Sequence, residues 1–547
     1  MHSYYGTTRY RNDLLTDQAL YFFHSILELT SGSFISSFSL ILFHYFPIVT
    51  MVSKRVYACD YGKGLAILGM LLAHTFEAGV CDWNHDVELH YISRIPIAVI
   101  VVLAPLALIC LMGLFFTFIT SMTCTMNIIR IESKGKGAVM SYFLYRFAFA
   151  IVLKFAEVIF KTWWQEYGIF QTMSIRFPVV ELGADGGTLD SIGACGLLVP
   201  VSVYLVRRIP WARKDYKRQV VILSVIAVAL LYFYLPIADF FVMLADWLFK
   251  YEFNFLGIIF SKVGKGSFMI AQCFPFGLVG GCIAIIMVST KLWKPLWIYA
   301  STMMGVAIVI AVLYLLTDPD PFQNVLSSRK PSFIRFCELG FECLVIAFAS
   351  HLSDNEARPL LKRYQFNKHV TFLRRISCVS LSCYIWETWV SRQIRKFFIV
   401  VVGPPYDLEK NESLWSFWAV GAFMIVNMIV DLYIITFWEK VQFRFSSERT
   451  IACVLSWLFN RKEEVDWKAS NQKIIYGPIN DLEKEIIESD ETKAKKNLST
   501  EVQMVEVNMS EESQEMADAP RRTQIGDKQE IQLMSTLIEA NSNIVSK

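Results

Sequence analysis

Apolar runs of about twenty residues recur along this chain, and they leave it few ways to fold. Hydrocarbon offers backbone N–H and C=O groups no partner, so a segment that crosses it must satisfy them internally, as a helix does. Runs at 64–80, 96–119, 140–160, 191–206, 219–236, 267–289, 295–316, 333–352, 376–391 and 415–437 give ten candidate spans. Residues 34–52 are apolar enough for an eleventh, although they contain His44 and Pro47. The expectation is an all-α fold, a polytopic membrane helical bundle of 10–11 transmembrane helices. The bulk numbers agree: 54% of the 547 residues are apolar and only 18% are charged, against about a quarter charged in soluble domains. A net charge of +3 carries no sign of a nucleic-acid partner; the partner implied is the lipid bilayer.

The charges in the connecting loops alternate. Lys54, Arg55 and Lys63 precede the first span, Arg130, Lys134 and Lys136 follow the second, and Arg207–Arg218, Lys291–Lys294 and Arg358–Arg375 follow the fourth, sixth and eighth. The positive-inside rule puts these loops in the cytoplasm. The intervening loops are acidic or mixed, and one holds the sequon Asn411-Glu-Ser413. The chain then divides into an N-terminal extension (1–52), a transmembrane region (53–460) and a tail (461–547). The tail is rich in Glu, Lys, Ser, Asn and Gln and nearly devoid of aromatics, a composition that cannot offset ordering entropy, so it is expected to be disordered and cytoplasmic. Its sequons at Asn497 and Asn508 count weakly against that side. The location expected is an endomembrane or the plasma membrane. Most of the twelve cysteines lie inside apolar runs, with no CxxC pair and no Cys/His metal spacing, so they are read as small hydrophobes, with neither a disulfide framework nor a metal site.

His74 stands about halfway through the first apolar run. Ten residues separate it from Gly64, about 15 Å of helix rise, which is half of a hydrocarbon core about 30 Å thick. A titratable ring at that depth is a functional candidate; a histidine merely bonded to a neighbouring helix is the competing reading. Glu77, three residues on, shares its helix face and could orient the imidazole as a general base requires. The loop that follows contains Asp82, Trp83, His85 and His90. These could line an acceptor pocket, with Trp83 stacking on a sugar face, or could simply be solvated. No third ligand accompanies the histidines, so no metal is expected. Arg146, about six residues into the third run, could hold a phosphate with its guanidinium or extend to the interface. Glu387 and Asp431 are further charges within apolar runs.

Several segments, taken in order, resemble the transmembrane acyltransferase superfamily, most closely the branch of heparan-α-glucosaminide N-acetyltransferase and its uncharacterised prokaryotic relatives. They are Arg55, Asp60, Lys63-Gly64 and His74; Pro105 through Met112-Gly113 to Phe118; Tyr145-Arg146; Thr188-Leu-Asp-Ser-Ile192-Gly193; Phe274-Pro275-Phe276 through Gly280-Gly281; and Arg375-Ile376 through Ser380-Leu381 to Tyr384. The resemblance covers roughly 51–460. Lys63 stands where the family usually has Arg, which keeps the charge and loses the bidentate fork.

The resemblance implies a membrane-bound transferase that moves an acyl group, usually acetyl, from cytoplasmic acyl-CoA to a sugar or glycan acceptor on the far side. It implies no bound cofactor; acetyl-CoA is a substrate. His74, assisted by Glu77, would act as the base, and Asp60, Lys63 and Arg146 would face the CoA. It leaves room for a homodimer. Two other readings stay open: a proton-coupled multi-pass transporter and a catalytically inactive acyltransferase-like scaffold.

Overall fold

The computed structural model describes residues 56–80, 112–157, 187–317 apart from 214, 291 and 292, 330–459 apart from 408, 409 and 411, and 466–489, with scattered single positions elsewhere. The protein is an all-α bundle. Helix α1 is Tyr57–Val80; a 3-10 turn at Met112–Leu114 opens α2, Phe115–Glu132. Then come α3 (Lys136–Glu157), α4 (Thr188–Val206), α5 (Tyr216–Tyr232), α6 (Tyr234–Lys250), α7 (Asn254–Gly264), α8 (Ile270–Ser289), α9 (Lys294–Thr317) and α10 (Ser332–Ser353). The last group is α11 (Leu360–His369), α12 (Thr371–Cys378), α13 (Ser380–Val402), α14 (Phe417–Lys440), α15 (Ser447–Leu458) and α16 (Trp467–Ile475). Between α13 and α14, β1 (Tyr406–Asp407) pairs antiparallel with β2 (Glu412–Ser413), Tyr406 opposite Ser413.

Two helices act as hubs. Helix α8 is apolar on every side, with 83% of its most apolar window buried, as a helix enclosed by others should be; α2, α4 and α5 pack around it. Helix α1 packs against α10, α12, α13 and α14, and touches α2. Its approach to α12 depends on Gly64: a Cβ there would overlap the Leu373 carbonyl. Asp354, which follows α10, fastens the start of α1 by accepting Tyr57 N at 3.0 Å and Ala58 N at 2.9 Å. Burial pushes its carboxyl up from the ordinary aspartate value.

Five described helices are long and apolar enough to cross a membrane: α3, α4, α8, α9 and α14. Helices α5 and α6 would make a sixth if counted as one span bent by 68°. Exposed Ile298, Ile308, Val309, Leu313 and Leu316 on α9, with Ile425, Ile429 and Tyr433 on α14, form the apolar exterior that lipid requires. The protein is an integral multi-pass membrane protein.

Several expected spans differ from the helices found. Charges keep α1, α10 and α13 out of the strictly apolar set: Asp60, Lys63 and Glu77 in the first, Arg335, Glu338 and Glu342 in the second, Glu387, Arg392, Arg395 and Lys396 in the third. Of the second run, 96–119, most lies outside the described residues, and α2 continues thirteen residues past its expected end, from 119 to Glu132. The run at 219–236 is the first arm of the bent pair; the chain turns at Phe233, so that Pro236 falls in the first turn of α6, where a missing N–H is tolerated. The run at 376–391 is broken at Val379, which separates α12 from α13. The segment expected as a disordered tail is helical at α16 and again at 477–489, with Ile475 and Leu482 each 1% exposed. Asp466 caps α16 by accepting Ala469 N at 3.0 Å, a signal diluted when composition is averaged over 461–547. The chain divides into two compact units, one up to Leu482 and one from Glu483 on. Residues 34–52, the eleventh candidate span, lie outside the described residues.

Candidate functional site

Thr75 opens the site by fixing the helix surface around His74: its hydroxyl donates to Leu71 O at 2.6 Å and accepts Asn427 Nδ2 from α14 at 2.9 Å. Asn427 also donates to Asp431 Oδ2, one turn along α14, at 2.9 Å. Next to Thr75, the His74 ring reaches α13, where Nδ1 is in hydrogen-bond contact with Glu387 Oε1. Glu387 is 5% exposed and His74 28%, so the carboxylate is enclosed while the ring keeps an open side. Glu387 and Asp431 lie within electrostatic reach of each other. Three helices thus bring one imidazole and two carboxyl groups together in the membrane region.

A cavity of about 20 Å³, room for roughly one water, adjoins the pair. His74, Thr75, Glu387, Ser391, Arg392 and Arg395 line it. Glu387 and Ser391 are one turn apart on α13, and Glu387 Oε2 and Ser391 Oγ are buried with no hydrogen-bond partner among the described residues. Buried polar atoms rarely stay so, which makes the cavity a place for a polar group. Arg395 supplies positive charge at its rim while donating to Ala78 O at 3.1 Å.

The chemistry follows from the contact at Nδ1. An imidazole that donates its Nδ1–H to a carboxylate as a hydrogen bond presents the lone pair of Nε2, and the carboxylate stabilises the imidazolium that forms when Nε2 takes a proton. Such a pair can serve as a general base held in one orientation. Among the described residues, no three His, Cys, Asp or Glu side chains gather as metal ligands would.

The expected site residues are distributed unevenly. His74 is at the centre. The carboxylate at its Nδ1 is Glu387, a residue the sequence marked only as one charge among several within apolar runs; Glu77 lies further along α1, half-buried. Lys63 is half-buried on the same helix, and Cys383 of α13 feels its charge together with those of Glu448, Asp431 and Glu387. Asp60 is buried in the first turn of α1, near enough to Asp354 to act on it.

Arg146 is engaged elsewhere. Its Nε donates to Gly196 O of α4 at 3.1 Å, and its guanidinium lies 4.5 Å from the centroid of the Phe149 ring. Asp82, Trp83, His85 and His90 lie outside the described residues. Other charges within the bundle are paired: Lys154 and Lys262 meet Asp190 at 3.0 and 2.6 Å, and Glu338 holds Arg335 and Lys330 at 2.7 and 3.0 Å.

Fold and site together define a multi-pass helical membrane protein with a carboxylate-oriented histidine inside its bundle. Set against family models, curated proteins and solved structures, the chain finds no match in any of the three.

Proposed function

We propose that the protein is a membrane-bound acyltransferase, moving an acyl group, most simply acetyl, from acyl-CoA to a sugar or glycan acceptor, with His74 as general base. The contact between His74 Nδ1 and Glu387 at a polar cavity carries this reading. The ordered resemblance of 51–460 to the transmembrane acyltransferases supports it. In the reaction, Nε2 of His74 removes a proton from the acceptor hydroxyl or amine as the acceptor attacks the thioester carbonyl. The new C–O or C–N bond forms, the C–S bond breaks, and His74 returns the proton to the departing CoA thiolate. A guanidinium from Arg392 or Arg395 would stabilise the oxyanion of the tetrahedral intermediate. The cavity as it stands has room for about one water, so the thioester and the acceptor would have to open it further, their bodies extending to either side. Loop charges put the donor, and the C-terminal tail, in the cytoplasm, within an endomembrane or the plasma membrane.

Purified protein in detergent, given labelled acetyl-CoA with and without amino sugars, tests the class. Labelled product is expected; no transfer from any acyl-CoA to any acceptor would sink it.

One observation favours a second reading. His74, Glu387 and Asp431 form a file of titratable groups across α1, α13 and α14, an arrangement that also suits a proton-coupled transporter. Solute uptake into proteoliposomes driven by a pH gradient, without acyl-CoA, would select that reading.

A further inference from the structure

A second buried polar region lies on α10, apart from the His74 cavity. Arg335, Glu338 and Glu342 share one face of that helix, at i, i+3 and i+7, and are 5%, 7% and 0% exposed. Glu338 is satisfied by Arg335 and Lys330. Glu342, one turn further on, is not: neither carboxyl oxygen has a hydrogen-bond partner among the described residues. An ionised carboxylate enclosed without a partner is the costliest state such a group can adopt, and membrane interiors make ionisable residues functional candidates.

Opposite it runs a file of hydroxyls. Thr117, Ser121 and Thr125 recur every four residues on α2 and are 1%, 0% and 0% exposed; Ser121 and Thr125 make no hydrogen bond among the described residues, and Thr117 has only the Cys273 thiol beside it. A helical threonine ordinarily satisfies itself on the carbonyl one turn back, as Thr123 on the same helix does with Ile119 O at 2.9 Å. The three that face inward do not. They lie in step along α8: Thr117 beside Cys273, Ser121 against Gly277, Thr125 against Gly281. Gly62 of α1 meets both Ile346 of α10, one turn past Glu342, and Phe115 and Ile119 of α2, which flank Thr117; with Cys273 feeling the charge of Glu342, the carboxyl lies toward the Thr117 end of the file.

We propose that Glu342 is a proton-binding site within the membrane bundle, at the head of a hydroxyl file formed by Thr117, Ser121 and Thr125. The step is a protonation: an O–H bond forms on a carboxyl oxygen, the proton comes from water, and the site becomes neutral. The groups around it are Glu338 and Arg335 on its own helix, Cys343 beside it, and Cys273 of α8. Beyond these, Tyr299 of α9 approaches Cys343, and Tyr234 of α6 approaches Arg335. Helix α1 presents Gly62 to Ile346, one turn from Glu342. The Arg335 charge opposes a metal cation here, whereas a proton leaves a neutral acid. His74 lies twelve residues beyond Gly62 on α1, about 18 Å of helix rise, so the site is separate from the catalytic reading and does not depend on it.

Infrared spectroscopy of the purified full-length protein at neutral pH tests this. The native-minus-Glu342→Gln difference spectrum is expected to contain the carbonyl stretch of a neutral carboxylic acid, shifted in D₂O. Glu342→Asp should move the band rather than delete it, and this carries the test if the Gln variant does not fold. Ser121→Ala should slow hydrogen–deuterium exchange of the band severalfold; an unchanged rate removes the file from the proposal. Absence of the band overturns the proton site. Carboxylate bands together with stabilisation by sodium chloride, but not by choline chloride, would overturn it in favour of a cation site.

Discussion

An imidazole in hydrocarbon needs a partner, and His74 finds Glu387 across a sequence separation of 313 residues. The histidine was legible in the sequence because one polar side chain interrupts an apolar run. Its partner was legible only as another such interruption, since no local spacing links the two; helix packing makes the pair, and packing is not written in periodicity. Glu77, three residues away on the same helix, was the nearer inference. Replacing His74 by Ala is expected to lower transfer about 10²–10⁴-fold, the usual contribution of a general base. Glu387→Gln, which keeps the shape and removes the charge that orients the ring, is expected to lower kcat about 10–100-fold with KM for acyl-CoA unchanged. Steady-state kinetics on both variants separate the two roles. Asp354 has a different signature. Its raised carboxyl pKa means the folded protein holds that proton more tightly than the unfolded chain, so this contribution to stability is present at low pH. It is lost as pH rises from the ordinary value of 3.8 through the folded one. Asp354→Asn should cost about 1 kcal/mol through the weakened α1 cap, and its deficit in thermal stability should narrow as pH rises.

At the scale of elements, length and apolarity foretold α4, α8, α9, α10 and α14 within a few residues. They failed where a helix runs on into polar residues or breaks inside an apolar run. Helix α2 outlasts its apolar window because Thr117, Ser121 and Thr125 lower the hydropathy of a face that is nonetheless enclosed. The break before α13 is held by Glu448 of α15, whose Oε1 accepts Leu381 N at 2.6 Å and whose Oε2 accepts Ser382 Oγ at 2.6 Å. A carboxylate at a helix start is favourable, but this one comes from 66 residues downstream, beyond any capping pattern. Gly64 belongs to this scale because it sets how closely α1 meets α12. Gly64→Ala forces a Cβ onto the Leu373 backbone and is expected to sharply reduce the monodisperse fraction in size-exclusion chromatography. Gly305→Ala, in open space on α9, should leave it unchanged.

For the whole molecule, the membrane class follows from the spacing of apolar runs, while the limit of the folded unit does not. Arg374, 1% exposed, donates from Nε to Ile475 O at 2.9 Å and from Nη1 to Asn367 Oδ1 at 3.0 Å. Arg375 reaches Tyr476 OH at 3.0 Å, and that hydroxyl donates to Glu439 at 2.7 Å. These bonds tie α16 beneath α12 and, through Gly64, to the histidine helix. Deleting 466–547 strips a buried guanidinium of an acceptor and is expected to cost about 1–3 kcal/mol. Deleting 490–547 spares every one of these bonds and should be tolerated, as differential thermal unfolding of the two truncations would show.

The separation of His74 from Glu387 also bears on how the protein is made. At about 5–20 residues per second, roughly 15–60 s pass between the synthesis of one and that of the other. Throughout that interval the first helix is in the membrane with its ring lacking the carboxylate that will later hold it. The insertion machinery therefore handles a half-built site for most of translation, and a chain that stops before residue 387 presents the ring without that carboxylate.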